Sequence, residues 1–283
     1  MIDTRVILVD GMPASGRTRL AQRISIQLGA AAIDHELCHA AGRGHPLRRD
    51  WDPAAYADAG SFMDTLVLQW ENFATRAAME DGVWLFDAAL LDAPGALLDA
   101  GVIDADTAEA LAERLMATLA PLTPVLLCLW RRADDAPDAQ RLTDAVFGRL
   151  TEHRVLLNTQ RASGDELLDD ALAFLGLKRH ELTLAAPLSA RLAGRYGASE
   201  AGTDGPLLAL RERDGGLVVD GIDAEPAAGV ELLPAADGRL LVTGRDLTLH
   251  PNLAPAGDVR GLLVRTDDPR FAHLPDFLPR LPD

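Results

Sequence analysis

The chain has 283 residues, room for about two domains of ordinary size, and its 48% hydrophobic and 25% charged content excludes a disordered, collagen-like or disulfide-scaffold protein. A net charge of −16, from 43 acidic and 27 basic residues, argues against general nucleic-acid or anionic-membrane binding, because either partner repels a strongly negative body unless a basic face is set apart. The two cysteines, Cys38 and Cys128, form no CxxC pair, and no apolar run approaches a signal-peptide core or the ~18 residues of a membrane span, so a reduced, cytoplasmic setting without nucleic acid or membrane is expected.

Taken in chain order, Arg5 to Val9 reads as a short buried strand, followed by the turn Gly11 to Gly16 and a helix from Thr18 to Leu28. Leu20, Ile24 and Leu28 recur there at helical spacing, and Gly29 marks the stop. Ala31 to Ile33 is the next expected strand. A long helix follows over Ala54 to Met79 with Phe62, Leu66 and Phe73 on one face, then a strand over Val83 to Phe86. Asp104 to Leu119 reads as a helix capped by Asp104 or Asp106, and Val125 to Trp130 as a continuous apolar strand. Continuous apolar strands alternating with helices predict a three-layer α/β domain around a parallel sheet, over residues 1–185. After that the texture changes. Runs at 207–213, 217–219, 230–233, 239–243, 247–250 and 262–265 are short and β-like, separated by Asp214-Gly-Gly216, Asp220-Gly221, Asp237-Gly238 and Gly244. Such punctuation predicts a small antiparallel β-rich module over 186–283, its Pro-rich tail, Pro275 to Pro282, an irregular strap. Trp70, Phe73, Trp84 and Trp130 are read as core rather than as a base-stacking platform.

One turn carries chemistry. Gly11-Met-Pro-Ala-Ser-Gly16-Arg17-Thr18 matches the phosphate-binding loop G-x-x-x-x-G-K-[ST] at every fixed position except the lysine, with a strand before it and a helix after. Glycines let successive backbone N–H groups turn inward on a phosphate, the helix N-terminus adds the positive end of its dipole, and the Thr18 hydroxyl can ligate Mg²⁺. Arg17 keeps the charge of the missing lysine but is longer, planar and bidentate. Lys178 is the one lysine in the chain, so drift to arginine is one account of the change; loss of turnover, or another anion, are the others. Residues 1–49 carry +3 against −19 for the remainder, which predicts a locally basic loop.

With the loop placed, the first 180 residues resemble the P-loop NTPase superfamily, in its nucleoside and nucleotide kinase-like group. A closer resemblance is to uncharacterised bacterial P-loop proteins that open with Gly-x-Pro-x-Ser-Gly-Lys-Thr. The matching pieces are Asp10 to Thr18, His45-Pro46, Trp70-Glu-Asn-Phe73, Val83 to Asp87 followed by Leu90 to Pro94, and Pro124-Val-Leu-Leu127; the departures are Arg17 and an arginine-rich lid with no clear location. The resemblance implies ATP or GTP with Mg²⁺ and transfer of the γ-phosphoryl group to a small-molecule acceptor; a homodimer is compatible with this reading. Gly11, Pro13, Ala14, Ser15, Gly16, Arg17 and Thr18 would hold the phosphates, and Thr18 with Asp87 the metal. Asp10 abuts the loop, where its carboxylate can orient Arg17 or accept a hydrogen bond from the turn. Asp34 and Glu36, expected where the second strand ends at the loop's edge of the sheet, become the acceptor base and a substrate contact. His45 is a further substrate contact, and Arg131 and Arg132 would offset charge on the transferring group. Each has a bland alternative: turn-capping for Asp34, Asp87 and His45, and for the arginines surface pairing with Asp134 and Asp135.

Three other readings compete. His35-Glu36-Leu-Cys-His39 satisfies H-E-x-x-H, whose histidines share a zinc when the segment is helical, although this segment follows a strand and precedes a Gly-rich turn; incidental metal binding by His35, Cys38 and His39 is a weaker form of the idea. A sulfotransferase-like enzyme using a 3′-phosphorylated sulfate donor has a similar loop without the lysine, but Leu129-Trp-Arg-Arg-Ala-Asp-Asp135 lacks the nearby serine that would join the arginines on the 3′-phosphate. The third reading is a nucleotide-binding module without turnover, its β-rich region docking a partner.

Overall fold

A computed structural model describes residues 3–43, 45–132, 137–149, 154–197, 207–222 and 229–282. Contacts divide the chain into two compact units, Met1–Ala40 with Gly44–Arg179, and Ala41–Arg43 with His180–Asp283.

The first unit is built on five parallel strands in the order β2-β3-β1-β4-β5: β1 (Val6–Gly11), β2 (His35–Cys38), β3 (Val83–Asp87), β4 (Val125–Trp130) and β5 (Arg154–Asn158). β1 is central and buried at every position, and the period-2 alternation of a strand splits its side chains between two cores. Val6 and Leu8, with Trp84, Phe86 and Leu126, meet α2 (Ala59–Ala77), α4 (Ala105–Thr118) and α5 (Pro137–Arg149). Ile7 and Val9, with Leu85, Leu127 and Leu157, meet α1 (Arg17–Ala30) and α6 (Gly164–Phe174). A parallel sheet sandwiched between helices follows from continuously apolar strands, which need cover on both faces.

Several sequence expectations shift. The second strand lies over His35–Cys38 and not Ala31–Ile33; Ala32 takes a left-handed φ of 55° and turns the chain before the strand begins. α2 starts five residues later than the apolar pattern suggests, because Asp58 caps it by accepting the Ser61 N–H at 2.8 Å. Asp104 caps α4 in the same way through the Thr107 N–H at 2.9 Å. Trp70, Phe73 and Trp84 are core residues, whereas Trp130 is half-buried, with its indole N–H on Asp144 at 2.8 Å.

The second unit is an eight-stranded antiparallel sheet in sequence order, β6 (Gly194–Tyr196), β7 (Leu208–Arg213), β8 (Gly216–Asp220), β9 (Val230–Pro234), β10 (Leu240–Val242), β11 (Thr248–Leu253), β12 (Val259–Arg265) and β13 (Phe277–Pro279). The Asp214-Gly215 turn has positive φ at both residues, 51° and 80°, the requirement of a tight hairpin whose twist matches its strands. The Pro-rich tail is not an irregular strap. Its β13 pairs with β12, and Tyr196 bridges Arg280 while the Gly197 N–H reaches the Pro279 carbonyl (3.1 Å) and the Leu281 N–H the Arg195 carbonyl (2.8 Å). The first and last strands therefore join, and the sheet curls into a near-closed barrel around Tyr196, Leu210, Val219, Val242, Leu249 and Leu262. Pro279 is tolerated at the end of β13 because it contributes its carbonyl, and no N–H, to this closure.

Candidate functional site

In the first unit, β1 leads into a helix on one face of the sheet, while its neighbour β3 leads into α3 (Asp92–Asp99) and α4 on the other face. Adjacent strands whose helices leave to opposite sides open a crevice at their carboxyl ends, the place where open α/β sheets bind ligands. A cavity of about 580 Å³ lies there, lined by Gly11, Pro13, Arg17, Arg48, Asp92 and Thr143 among others.

The β1–α1 loop forms one wall. Gly11, Ala14 and Gly16 have φ of 121°, 55° and 92°, so the backbone changes hand repeatedly as it turns. Gly11 is required: a Cβ there would sit 2.1 Å from the Leu129 carbonyl oxygen, and close approach to β4 is what lets the Met12 N–H bond that oxygen at 2.9 Å. The Ser15 N–H returns to the Met12 carbonyl at 3.3 Å. The amides opening α1 have no preceding turn to bond, and the buried Ser15 hydroxyl has no hydrogen-bond partner among the described residues. Donors without acceptors at a helix start suit an anion.

Asp10 ties this loop to its neighbour. Fully buried, it accepts the Gly11 N–H at 2.8 Å on one oxygen and the Ala89, Leu90 and Leu91 N–H groups at 3.0, 2.7 and 3.2 Å on the other. The β3–α3 turn, with Ala88 at φ 60°, is thereby fastened to the end of β1. Arg17 Nη1 completes the set, 3.3 Å from Asp10 and 3.1 Å from Asp92, which opens α3. Burial pushes the Asp10 pKa up against the opposing pull of Arg17 and the Gly11 and Ala89 N–H groups. Burial works the other way on Arg17, but Asp10, Asp92 and Asp87 outweigh it and raise the guanidinium pKa. The loop is consequently not the basic patch expected from the sequence. Asp10, Asp87 and Asp92 stand against Arg17, Arg48 and Arg131, because the sheet edge brings in carboxylates from beyond residue 49.

Asp87 ends β3 at the same edge, buried, with its carboxylate 3.6 Å from His39 Nδ1. Arg131 leaves β4 there and donates its Nε–H to the Pro13 carbonyl at 3.1 Å, bracing the loop from outside. Thr18 is half-buried in the first turn of α1. Thr18 and Asp87 could both serve a metal that takes most of its ligands from phosphate and water. Among the described residues, no group of three or more His, Cys, Asp or Glu side chains is arranged to hold a metal ion by itself.

Other expected site residues lie elsewhere. Asp34 precedes β2, and its carbonyl accepts the Val83 N–H at 2.9 Å where β3 begins. It sits at the amino edge of the sheet, a strand's length from the loop, and cannot serve as a base there; the expectation failed because the strand starts after Asp34 instead of ending before it. Glu36, mid-strand and level with Trp84, lines a different groove with Arg76 and Asn72. Burial raises its pKa, Arg76 opposing. His45 does not line the cavity. It is buried, its Nδ1 accepts the Leu47 N–H at 3.3 Å and its ring lies 5.3 Å from Phe86. Burial, assisted by Arg48, lowers its pKa to about 4, so it is neutral. Arg132 exchanges backbone hydrogen bonds with the Gln160 side chain at 3.1 and 3.2 Å, and its side chain is exposed. Asp134 and Asp135, the expected surface partners of the arginines, lie outside the described residues.

The zinc reading fails on geometry. His35 and His39 are at either end of a strand and not on a helix, so four residues separate them by about 13 Å. His35 is also occupied, by the Ser25 hydroxyl at 2.8 Å and the Ile33 carbonyl at 2.9 Å. Sequence reasoning missed Asp92 and Arg48, and considered His39 only as a metal ligand and not as the neighbour of Asp87. The Asp92-Ala-Pro94 start of α3 was a usable signal, since acidic residues and proline favour a first helical turn. Comparison of the chain with models of known protein families and with curated proteins gave no match.

Proposed function

We propose that this protein is a P-loop phosphotransferase that uses ATP or GTP with Mg²⁺ and acts on a small-molecule acceptor. The observation that carries the reading is the β1–α1 loop, with its three left-handed residues, its buried Ser15 hydroxyl unpartnered among the described residues and its helix start without a side-chain cap, beside the 580 Å³ cavity. The residues present fit a phosphate chain. The amides from Gly16 to Thr18 and the Arg17 guanidinium would hold its oxygens, and Thr18 and Asp87 would hold Mg²⁺. Bound Mg²⁺ would supply charge neutralisation at the phosphoryl group. Arg131, on the loop's outer side, adds positive charge. The cavity between α3 and α5 would receive the acceptor, Trp51, Leu91 and Leu142 excluding water from it.

One feature favours a second reading, nucleotide binding without turnover: Arg17 is held by two carboxylates, so a phosphate meets a guanidinium that is already engaged. A thermal-shift panel of Mg·ATP, Mg·GTP, 3′-phosphoadenosine compounds and Zn²⁺, followed by turnover assays on whichever binds, separates the readings. Mg·ATP or Mg·GTP should raise the melting temperature, with Thr18→Ala removing the shift; at a hundred times Kd the expected stabilisation is about 2.7 kcal/mol. An unchanged shift in Thr18→Ala overturns the site. Arg17→Lys should keep or raise activity if the arginine replaced a lysine by drift.

A further inference from the structure

Asp10 and Asp92 both grip Arg17, but they are not equivalent. Asp10 is fully buried, outside the cavity lining, and committed to four backbone N–H groups. Asp92 is about one-fifth exposed, lines the cavity, and has a second cation within reach, Arg48 Nε at 3.9 Å from its other oxygen. Arg17 likewise retains one-fifth exposure and lines the same cavity. Beside them the Ser15 hydroxyl is buried without a partner among the described residues, a sign that the loop is built around a group that the protein itself does not supply.

Resting on the phosphate reading of the loop, we infer that Asp92 is a resident competitor for Arg17, which an incoming phosphate displaces. In the resting protein the Asp92 carboxylate occupies the guanidinium. When phosphate enters the loop, Arg17 keeps its bond to the immobile Asp10 and exchanges Asp92 for a phosphate oxygen, while Asp92 turns to Arg48. No charge is left unpaired: Arg17 exchanges a carboxylate oxygen for a phosphate oxygen, and Asp92 keeps a cation in Arg48, already 3.9 Å away. Asp92 is thus a positioning residue that sets the affinity of the loop and, once released, leaves a carboxylate facing the acceptor cavity.

The test is calorimetric titration of the full chain with pyrophosphate and with Mg·ADP. Removing the competitor should tighten binding, so Asp92→Asn and Asp92→Ser should each bind about fivefold more tightly than the wild type, the scale of one partly exposed ion pair. The gain should vanish in an Arg17→Ala background, because it acts through the guanidinium. Asp99→Asn, neutralising another carboxylate on the same cavity, should give less than half the gain if contact rather than general charge is responsible. Unchanged or weaker binding by folded Asp92→Asn and Asp92→Ser, or an equal gain in Asp99→Asn or in the Arg17→Ala background, overturns the exchange while leaving the phosphate reading intact. If neither the wild type nor the Asp92 variants bind pyrophosphate or Mg·ADP, the phosphate reading falls and the exchange with it.

Discussion

Replacing Asp10 should cost more stability than replacing any other polar residue of the loop, and the structure says how much. Five donors converge on its carboxylate: the N–H groups of Gly11, Ala89, Leu90 and Leu91, and Arg17 Nη1. Such a set of donors suits the ionised form and opposes the upward push of burial on its pKa. Asp10→Ala strands four N–H groups at a position with no solvent exposure. At about 1 kcal/mol each, the low end for buried donors left unmade, the loss is about 4 kcal/mol, a large part of the 5–15 kcal/mol by which domains are ordinarily stable. Asp10→Asn keeps one oxygen for the three α3-side N–H groups but turns an amide N–H₂ toward the Gly11 N–H and Arg17, and should cost about 2 kcal/mol. Urea unfolding at neutral pH, with m compared between variants, measures both. A loss under 1 kcal/mol for Asp10→Ala, or an Asp10→Asn protein as stable as the wild type, would refute the view of Asp10 as an ionised brace between loop and turn.

Two further outcomes follow from the same region. His45 is neutral when folded and has its pKa lowered to about 4 from 6.5, so below pH 6.5 the unfolded chain takes up a proton that the folded one refuses; stability present above pH 6.5 should fall by about 3 kcal/mol as pH drops toward 4. His45→Asn, whose oxygen can still accept the Leu47 N–H, should flatten that slope in urea midpoints, and an undiminished slope would mean that other groups carry it. Gly11→Ala should destabilise by more than about 3 kcal/mol because its Cβ collides with the Leu129 carbonyl, whereas at Gly16, where a Cβ meets nothing within 4 Å, only the left-handed φ opposes alanine, at about 1 kcal/mol. Equal melting temperatures for the two variants would contradict this.

What could be read from the sequence divides along physical lines. β1, its glycine turn and α1 were legible because a strand buried on both faces is continuously apolar and the turn needs glycine. β2 was misplaced because it is an edge strand whose first three residues, His35 to Leu37, are not buried and carry no such run; with it went Asp34, whose role depended on which end of the strand it occupied. The hairpins of the second unit announced themselves through Asp-Gly turns, but the closure that brings residues 195–197 against 279–281 joins segments more than 80 residues apart and leaves no local trace. The same holds for Asp10. Its neighbours Gly11 and Arg17 were evident, but its three contacts at 89–91 lie about 80 residues away, and no spacing rule reveals them.

The joining of β6 to β13 makes chain order in the second unit a matter of convention. Arg195 Nη2 donates to the Pro282 carbonyl at 2.9 Å, so the point where the chain enters the barrel touches the point where it leaves. A circle of strands with its ends in contact can be cut at any exposed hairpin and resealed at the old junction. A circular permutant of the second unit opened at Asp237-Gly238, with a linker joining Pro282 to His180 so that the 186–192 helix and its buried Leu192 are kept, would preserve every strand pairing in a different order of synthesis.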